Sequence, residues 1–298
     1  MLNSSLRVAT IAAALLAGTA FAQEITVTHA QGETVLPGVP ENIIVFDLAA
    51  IDVLDALGIE IDGVPDATFP DYLSQYADLP KFGSLFDPDY EAIAAAAPDL
   101  IIVAGRSSTA YPQLSEIAPT IDVSNDWLDF RGTIENNTRL LAGIFGLEDE
   151  AESLIANLET EVAETRAAAA DAGTGLIVMT SGGAVTAFGP GSRFGWIHEV
   201  AGVTPVLDDV EAATHGDAIS FEFLLETNPD WLFVIDRDSG VTGENLAAAT
   251  LDNELMAQTT AWQNDQVVYV EPVRAYIVNG GIQAITYMVD QIGDAFAE

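Results

Sequence analysis

Arg106, Arg193 and Arg237 are the residues on which a chemistry can be built, because cations are scarce in this chain. Its 298 residues include 46 acids, nine lysines and arginines and three histidines, a formal charge of −37. Arg193 lies in "AFGPGSRFGW" (187–196), where Gly189, Pro190, Gly191 and Gly195 permit tight turns and close approach of backbone to a ligand. Arg106 and Arg237 each close a run of one kind, "PDLIIVAGR" and "PDWLFVIDR". Ligands of open α/β sheets bind beyond the carboxyl ends of strands, so the three guanidinium groups are expected around one space. Like charges gathered there would repel, and their planar forks suit the oxygens of carboxylate, phosphate or catecholate. The competing reading for any single arginine is an ordinary surface ion pair, Arg237 with Asp236 or Asp238.

Two neutral donors stand near these cations in the sequence. His215 lies in "EAATHGDAIS" and Tyr276 in "EPVRAYIVNGGIQ". Imidazole and phenolate both bind ferric iron, and the metal's charge deprotonates the phenol. Taken singly, His215 reads as a loop histidine and Tyr276 as a packed ring with its hydroxyl satisfied; only the company of the arginines changes that. His198 reads as structural, and His29 has no evident partner in the amino-terminal strand.

The elements that must position these residues include an internal repeat. "DYEAIAAAAPDLIIVAGR" (89–106) and "SFEFLLETNPDWLFVIDR" (220–237) align without a gap, matching Glu91 with Glu222, Asp99 with Asp230 and Arg106 with Arg237. Each predicts a short helix ended before Pro-Asp, then a buried parallel strand with the arginine at its carboxyl end. Further strands are expected at 42–46, 175–180, 185–188 and 266–270, and helices at 49–58, 134–146 and 282–297. Residues 147–173, rich in Ala, Glu and Leu, predict one long helix between the halves and limited relative motion. The expected fold is α/β: two Rossmann-like lobes, 23–146 and 174–298, joined by the helix 147–173, with the ligand cleft between them.

Residues 1–22 read as a signal peptide, with Arg7 as the positive region, Ile11 to Ala17 apolar and Ala20-Phe21-Ala22 before cleavage. About 275 residues would remain, with eight basic and 46 acidic side chains. That balance excludes nucleic acid and anionic membrane as expected partners. With no cysteine, stability must come from packing, and neither a disulfide nor a lipid-anchoring thiol is available. A soluble monomer of a bacterial periplasm, with no intrinsic cofactor, is expected.

The segments "FDLAAIDVLDALG" (46–58), "PKFGSLFDPDYEAIAAAAPDLIIVAGR" (80–106), "FGPGSRFGWIHEV" (188–200), "HGDAIS" (215–220) and the pair Gly280-Gly281 together carry a resemblance. Over the whole chain after the signal peptide, the sequence resembles class III periplasmic substrate-binding proteins of ABC importers, in the branch that receives ferric catecholate siderophores. That resemblance implies a basic pocket of Arg106, Arg193 and Arg237. It implies His215 and Tyr276 at iron positions left open by a tetradentate bis-catecholate. It also implies delivery of the Fe(III)-siderophore to an ABC permease and its ATPase, with Asp52 and Glu199 as candidate docking acids. Other cargoes are haem, a corrinoid, a free metal ion or a hydroxamate siderophore. The three arginines count against haem, and a single histidine in the candidate pocket counts against a free metal. An exported hydrolase using His215 and Asp217 is the reading from another class, without an H-E-x-x-H, G-x-S-x-G or S-x-x-K motif to support it. The expectation is a binding protein and not an enzyme.

Overall fold

A computed structural model describes residues 24–207 and 216–297. The expected signal segment 1–22 and His215 lie outside the described residues.

The first lobe is built on a parallel three-stranded sheet with Leu100–Val103 between Ile43–Val45 and Thr120–Asp122. Side chains alternate between its two faces, as the pleat requires. Ile43, Val45, Leu100 and Ile102 enter the large central core, while Ile44, Ile101 and Val103 enter a smaller core on the far side. Apolar cover on both faces is why these strands read as continuous hydrophobic runs. The second lobe holds a sheet in the order Asp217–Ile219, Ala184–Phe188, Thr174–Ser181, Trp231–Asp236, Val267–Val270. The last three strands run parallel, and Thr174–Ser181 forms an antiparallel hairpin with Ala184–Phe188. The same alternation recurs there: Ile177, Phe233 and Ile235 face the central core, and Leu176, Val178, Leu232 and Val234 face outward into a second cluster.

The repeat is a repeat of local physics. Asp89 and Ser220 cap the helices Tyr90–Ala96 and Phe221–Thr227 by accepting from Ala92 N and Phe223 N. Each helix ends on a left-handed residue, Ala97 at φ 48° and Asn228 at φ 45°. Asp99 then accepts from the backbone of Glu41 and Asn42, and Asp230 from that of Thr174, so each aspartate fastens the start of the neighbouring strand. Both strands therefore emerge in the same register, with Arg106 and Arg237 beyond their carboxyl ends. The continuations differ. Gly105 turns the first chain at φ 42°, whereas Asp236 caps a helix that starts at Arg237.

One helix, Glu148–Ala169, joins the halves and buries Ala151, Ile155, Leu158, Val162 and Ala169 along one face. The carboxyl-terminal helix Ile282–Ala297 packs along it, and the Thr165 hydroxyl donates to Val289 O at 3.0 Å. No helix among the described residues is long and apolar enough to cross a membrane. His29 corrects one expectation. Its ring meets Thr34 Oγ1 at 2.9 Å and accepts from the backbone N–H of Gln31 and Asp122, partners supplied by the paired strand, the turn and the edge of the neighbouring sheet.

Candidate ligand-binding cleft

A cavity of about 390 Å³ opens between the lobes, lined by Asp47, Phe86, Arg106, Asn125 and Trp127 from one side and Arg193, Tyr276, Val278 and Asn279 from the other. Each arginine is held by local structure that the sequence dictates. Gly105, whose N–H donates to Ser124 Oγ at 2.8 Å, turns the chain so that Arg106 points across the cleft. The Arg193 loop folds on itself: Ser192 Oγ donates to Gly189 O at 2.6 Å, and Gly191 sits at φ 74°. A Cβ on Gly195 would lie 2.8 Å from Gly191 N, so only glycine lets the loop close. Phe194 is buried edge-on against Phe188 at 4.8 Å, which leaves Arg193 to face the cavity.

Tyr276 is the hub of the site, through its backbone as much as its phenol. It lies in a single π turn, Arg274–Val278, closed by Asn279 N donating to Arg274 O at 2.7 Å. Such wider turns recur at functional sites. Arg106 Nη2 donates to Tyr276 O at 2.7 Å and Nη1 to Ile277 O at 3.2 Å. Arg193 Nη2 donates to the same Tyr276 carbonyl. Arg237 Nε donates to the Tyr276 hydroxyl at 2.9 Å. The guanidinium carbons of Arg106, Arg193 and Arg237 lie 5.7, 4.5 and 5.4 Å from the Tyr276 ring centre.

This gathering has little direct compensation, the charge of Asp47 in the cavity wall reaching Arg106 only at longer range. Among the described residues, no carboxylate lies within 4 Å of the Arg106 or Arg193 guanidinium, and Arg237 has only Asp238 at 3.8 Å. Asp236 is not its partner, because that carboxylate is occupied by the backbone N–H groups of Ser239, Leu246 and Ala247. Burial, then the charges of Arg106 and Arg237, lower the Arg193 pKa to about 10. Its Nε is buried without a partner. Burial pushes the Tyr276 phenol up, but the Arg237 hydrogen bond and the three guanidinium charges together hold it below the ordinary phenol range. The arrangement can accept an anion and yield a phenolate.

The structure thus brings four of the five pocket residues together. The fifth, His215, lies outside the described residues. His198 is buried with Nδ1 at 2.9 Å from Val203 O, and burial lowers its pKa. Glu199 is exposed, with Oε1 accepting from Gly191 N at 2.7 Å in the Arg193 loop. Asp52 corrects an expectation. It is 0% exposed and accepts from Tyr72 OH at 2.5 Å, Gln283 N at 2.8 Å and Ala284 N at 3.0 Å. A carboxylate with no accessible surface cannot meet a permease arginine; Asp52 instead caps the helix Ile282–Ala297, which packs against its own helix. Burial raises its pKa to about 7, against the hydrogen bonds that hold its charged form.

Sequence reasoning missed the polar and aromatic walls. Asp47, Asn125 and Asn279 line the cavity with Phe86 and Trp127. Gly280-Gly281 was their visible signal: a Cβ on Gly280 would strike the Asn125 amide, and one on Gly281 the Asp52 carboxylate.

Comparison with known proteins bears on this geometry. A family profile described as periplasmic binding protein matches residues 43–273. The petrobactin-binding protein YclQ of Bacillus subtilis is 34% identical over 279 residues, 91% of this chain and 88% of that one. Its crystal structure superposes with a TM-score of 0.89 over 93% of this chain and 99% of that one. The catecholate-siderophore binding protein VctP of Vibrio cholerae is 34% identical, with a TM-score of 0.84 over 91% of this chain and 99% of that one. A TroA-like periplasmic binding protein of Xylanimonas cellulosilytica is 46% identical, with a TM-score of 0.82 over 89% and 92%.

Proposed function

The chain belongs to the periplasmic binding protein family, and we propose that its cleft receives a ferric catecholate-type siderophore for delivery to an ABC permease and its ATPase. One observation carries the reading. Arg106 and Arg193 converge on one neutral carbonyl, and neither guanidinium has a carboxylate oxygen within 4 Å among the described residues. Cations spaced by a backbone oxygen need an anionic guest, and a ferric complex of catecholates is a net anion with oxygens for each fork. Arg106, Arg193 and Arg237 bind those oxygens. Tyr276, with His215, fills iron positions that a tetradentate siderophore leaves open. Trp127 and Phe86 supply apolar walls for the aromatic rings. The relatives carry names of binding proteins, and the role here is likewise to bind and hand over, not to catalyse.

On this reading 1–22 is a removed signal peptide, 23–146 and 174–298 are the lobes, and the mature chain works as a periplasmic monomer. Exposed Glu199 is the docking acid that remains, and its hold on Gly191 ties that surface to the Arg193 loop.

The test is a titration of the protein with a ferric bis-catecholate, followed by tryptophan fluorescence. Saturable quenching with the ligand recovered unchanged supports the proposal. Absence of saturation, or equal response to an uncharged ferric complex of similar size, overturns it.

A further inference from the structure

Glu199 is exposed and does not line the cavity, yet its carboxylate is tied into the loop that carries Arg193. Its Oε1 accepts from Gly191 N at 2.7 Å, two residues before the arginine and at a left-handed turn of the chain, φ 74°. The bonds given by Ser192 N, Ser192 Oγ and Gly195 N close within the loop, on Gly189 O and Ser192 O. Glu199 reaches it from the helix that follows, Trp196–Glu199. That helix end is itself anchored. Arg166, in the last turn of the linker helix Glu148–Ala169, donates through Nε to Val200 O at 2.9 Å and through Nη2 to Glu199 O. Gly202, at φ 81°, lets the Arg166 side chain come close, since a Cβ there would lie 2.8 Å from Arg166 Cγ. One set of contacts thus runs from the linker helix through Glu199 to Gly191, and on through Arg193 to the Tyr276 carbonyl.

We propose that Glu199 is a positioning residue for Arg193: it holds the loop so that the guanidinium is presented to the cargo, and does not touch the cargo itself. The inference rests on the reading of the cleft as a ferric catecholate site. What the loop takes from Glu199 is an acceptor oxygen, not a charge. By charge alone, a carboxylate near three arginines weakens their attraction for an anion, so its removal would tighten binding. Lost positioning has the opposite sign, because a group that the ligand must itself order costs affinity. Two variants separate the effects. Glu199→Ala removes acceptor and charge together, whereas Glu199→Gln removes the charge and keeps an amide oxygen that can accept from Gly191 N.

The experiment measures two quantities in wild type, Glu199→Ala and Glu199→Gln. The first is exchange of the Gly191 amide hydrogen, followed by NMR in ligand-free protein. The second is affinity for a ferric bis-catecholate, by fluorescence titration. In Glu199→Ala, Gly191 exchange is expected to quicken about fivefold and affinity to fall about fivefold, the yield of one net hydrogen bond. Glu199→Gln is expected to keep slow exchange and to bind at least as tightly as wild type. Thermal melts of both variants report the fold. Unchanged Gly191 exchange in Glu199→Ala overturns the proposal. So does faster exchange with no loss of affinity, and so does a Glu199→Gln variant that loses as much as Glu199→Ala. Failure of the wild type to bind the complex would sink the siderophore reading, while the exchange comparison would still decide whether Glu199 holds the loop.

Discussion

Replacing Tyr276 by phenylalanine separates the two jobs the residue performs. Arg106 and Arg193 are anchored on its carbonyl, which the substitution leaves in place. Only the phenol is removed, and with it the 2.9 Å bond from Arg237 Nε. Hydrogen bonds to charged groups are worth about 1.5–3 kcal/mol. The Arg237 side chain is 39% exposed, so water replaces much of that bond. About 1 kcal/mol, or roughly fivefold in affinity, is the expected loss for a hexadentate ferric siderophore that leaves iron no open position. A tetradentate complex also loses a direct iron–phenolate bond. Loss of even an outer partner of a metal ligand costs about ten- to a hundredfold, and loss of the ligand itself is expected to exceed that. Because the Arg237 hydrogen bond and the guanidinium charges hold the phenol below its ordinary pKa, its proton leaves more readily when iron binds. The assay is parallel fluorescence titration of wild type and Tyr276→Phe with ferric bis-catecholate and ferric tris-catecholate. Equal losses for both cargoes would refute direct ligation and leave the arginine pocket standing.

Arg193→Met removes a cation whose pKa burial and like charges lower to about 10, so its charge opposes folding at every pH below that value. Allowing for its partial contact with solvent, about 1–2 kcal/mol of stability is expected back, raising the melting point of ligand-free protein by about 2–4 °C while ferric catecholate binding collapses. Calorimetry with and without ligand checks both halves, and an unchanged or lower melting point contradicts the argument. Asp52 has its pKa raised by burial to about 7, so the folded protein holds a proton there that the unfolded chain has already released. Stability is then expected to fall as pH rises from about 4 to 7, by an upper bound of about 4 kcal/mol, and Asp52→Asn is expected to flatten that slope in urea midpoints measured across the range. Trp127 lines the cleft, whereas Trp196 is buried with Nε1 unpartnered, so Trp127→Phe is expected to remove most ligand-induced quenching while leaving competition binding intact.

Much of this molecule was legible because its signals are local. The repeat offsets of Asp99 with Asp230 and Arg106 with Arg237 carried the helix, the strand and the arginine at the strand end, while the caps and the aspartate tethers emerged only in the structure. The linker helix was legible from composition, and the Arg193 loop from its glycines. What stayed hidden depends on partners far along the chain. Asp52 reads as an exposed helical acid, yet its helix buries every residue from Leu48 to Leu54, because the carboxyl-terminal helix lies against it and needs a cap. No pattern within "AAIDVLDALG" records a partner 231 residues away. The π turn at Arg274–Val278 was hidden for another reason: nothing in the helical period marks where one residue is inserted, so the Tyr276 carbonyl could not be foreseen as the arginine anchor.

The cleft also explains how so acidic a protein can hold an anion. Among the described residues, six buried side-chain polar atoms lack a partner; besides those of Thr180, Trp196 and Arg274, three belong to residues that line the cleft, Arg193 Nε and both amide atoms of Asn279. They stand on two segments, 189–193 and 274–281, each clamped by the opposite lobe or by its own glycines. Rigid support is what lets unsatisfied groups persist without collapsing onto one another. A guest that carries oxygens and negative charge would meet the cleft's cations together, so ligand binding is expected to stabilise the fold by more than any single contact suggests. At a hundredfold excess over its dissociation constant that linkage is about 2.7 kcal/mol. A melting point that rises with ferric catecholate in the wild type, but not in Arg193→Met, would show that the stabilisation runs through these cations and not through the walls.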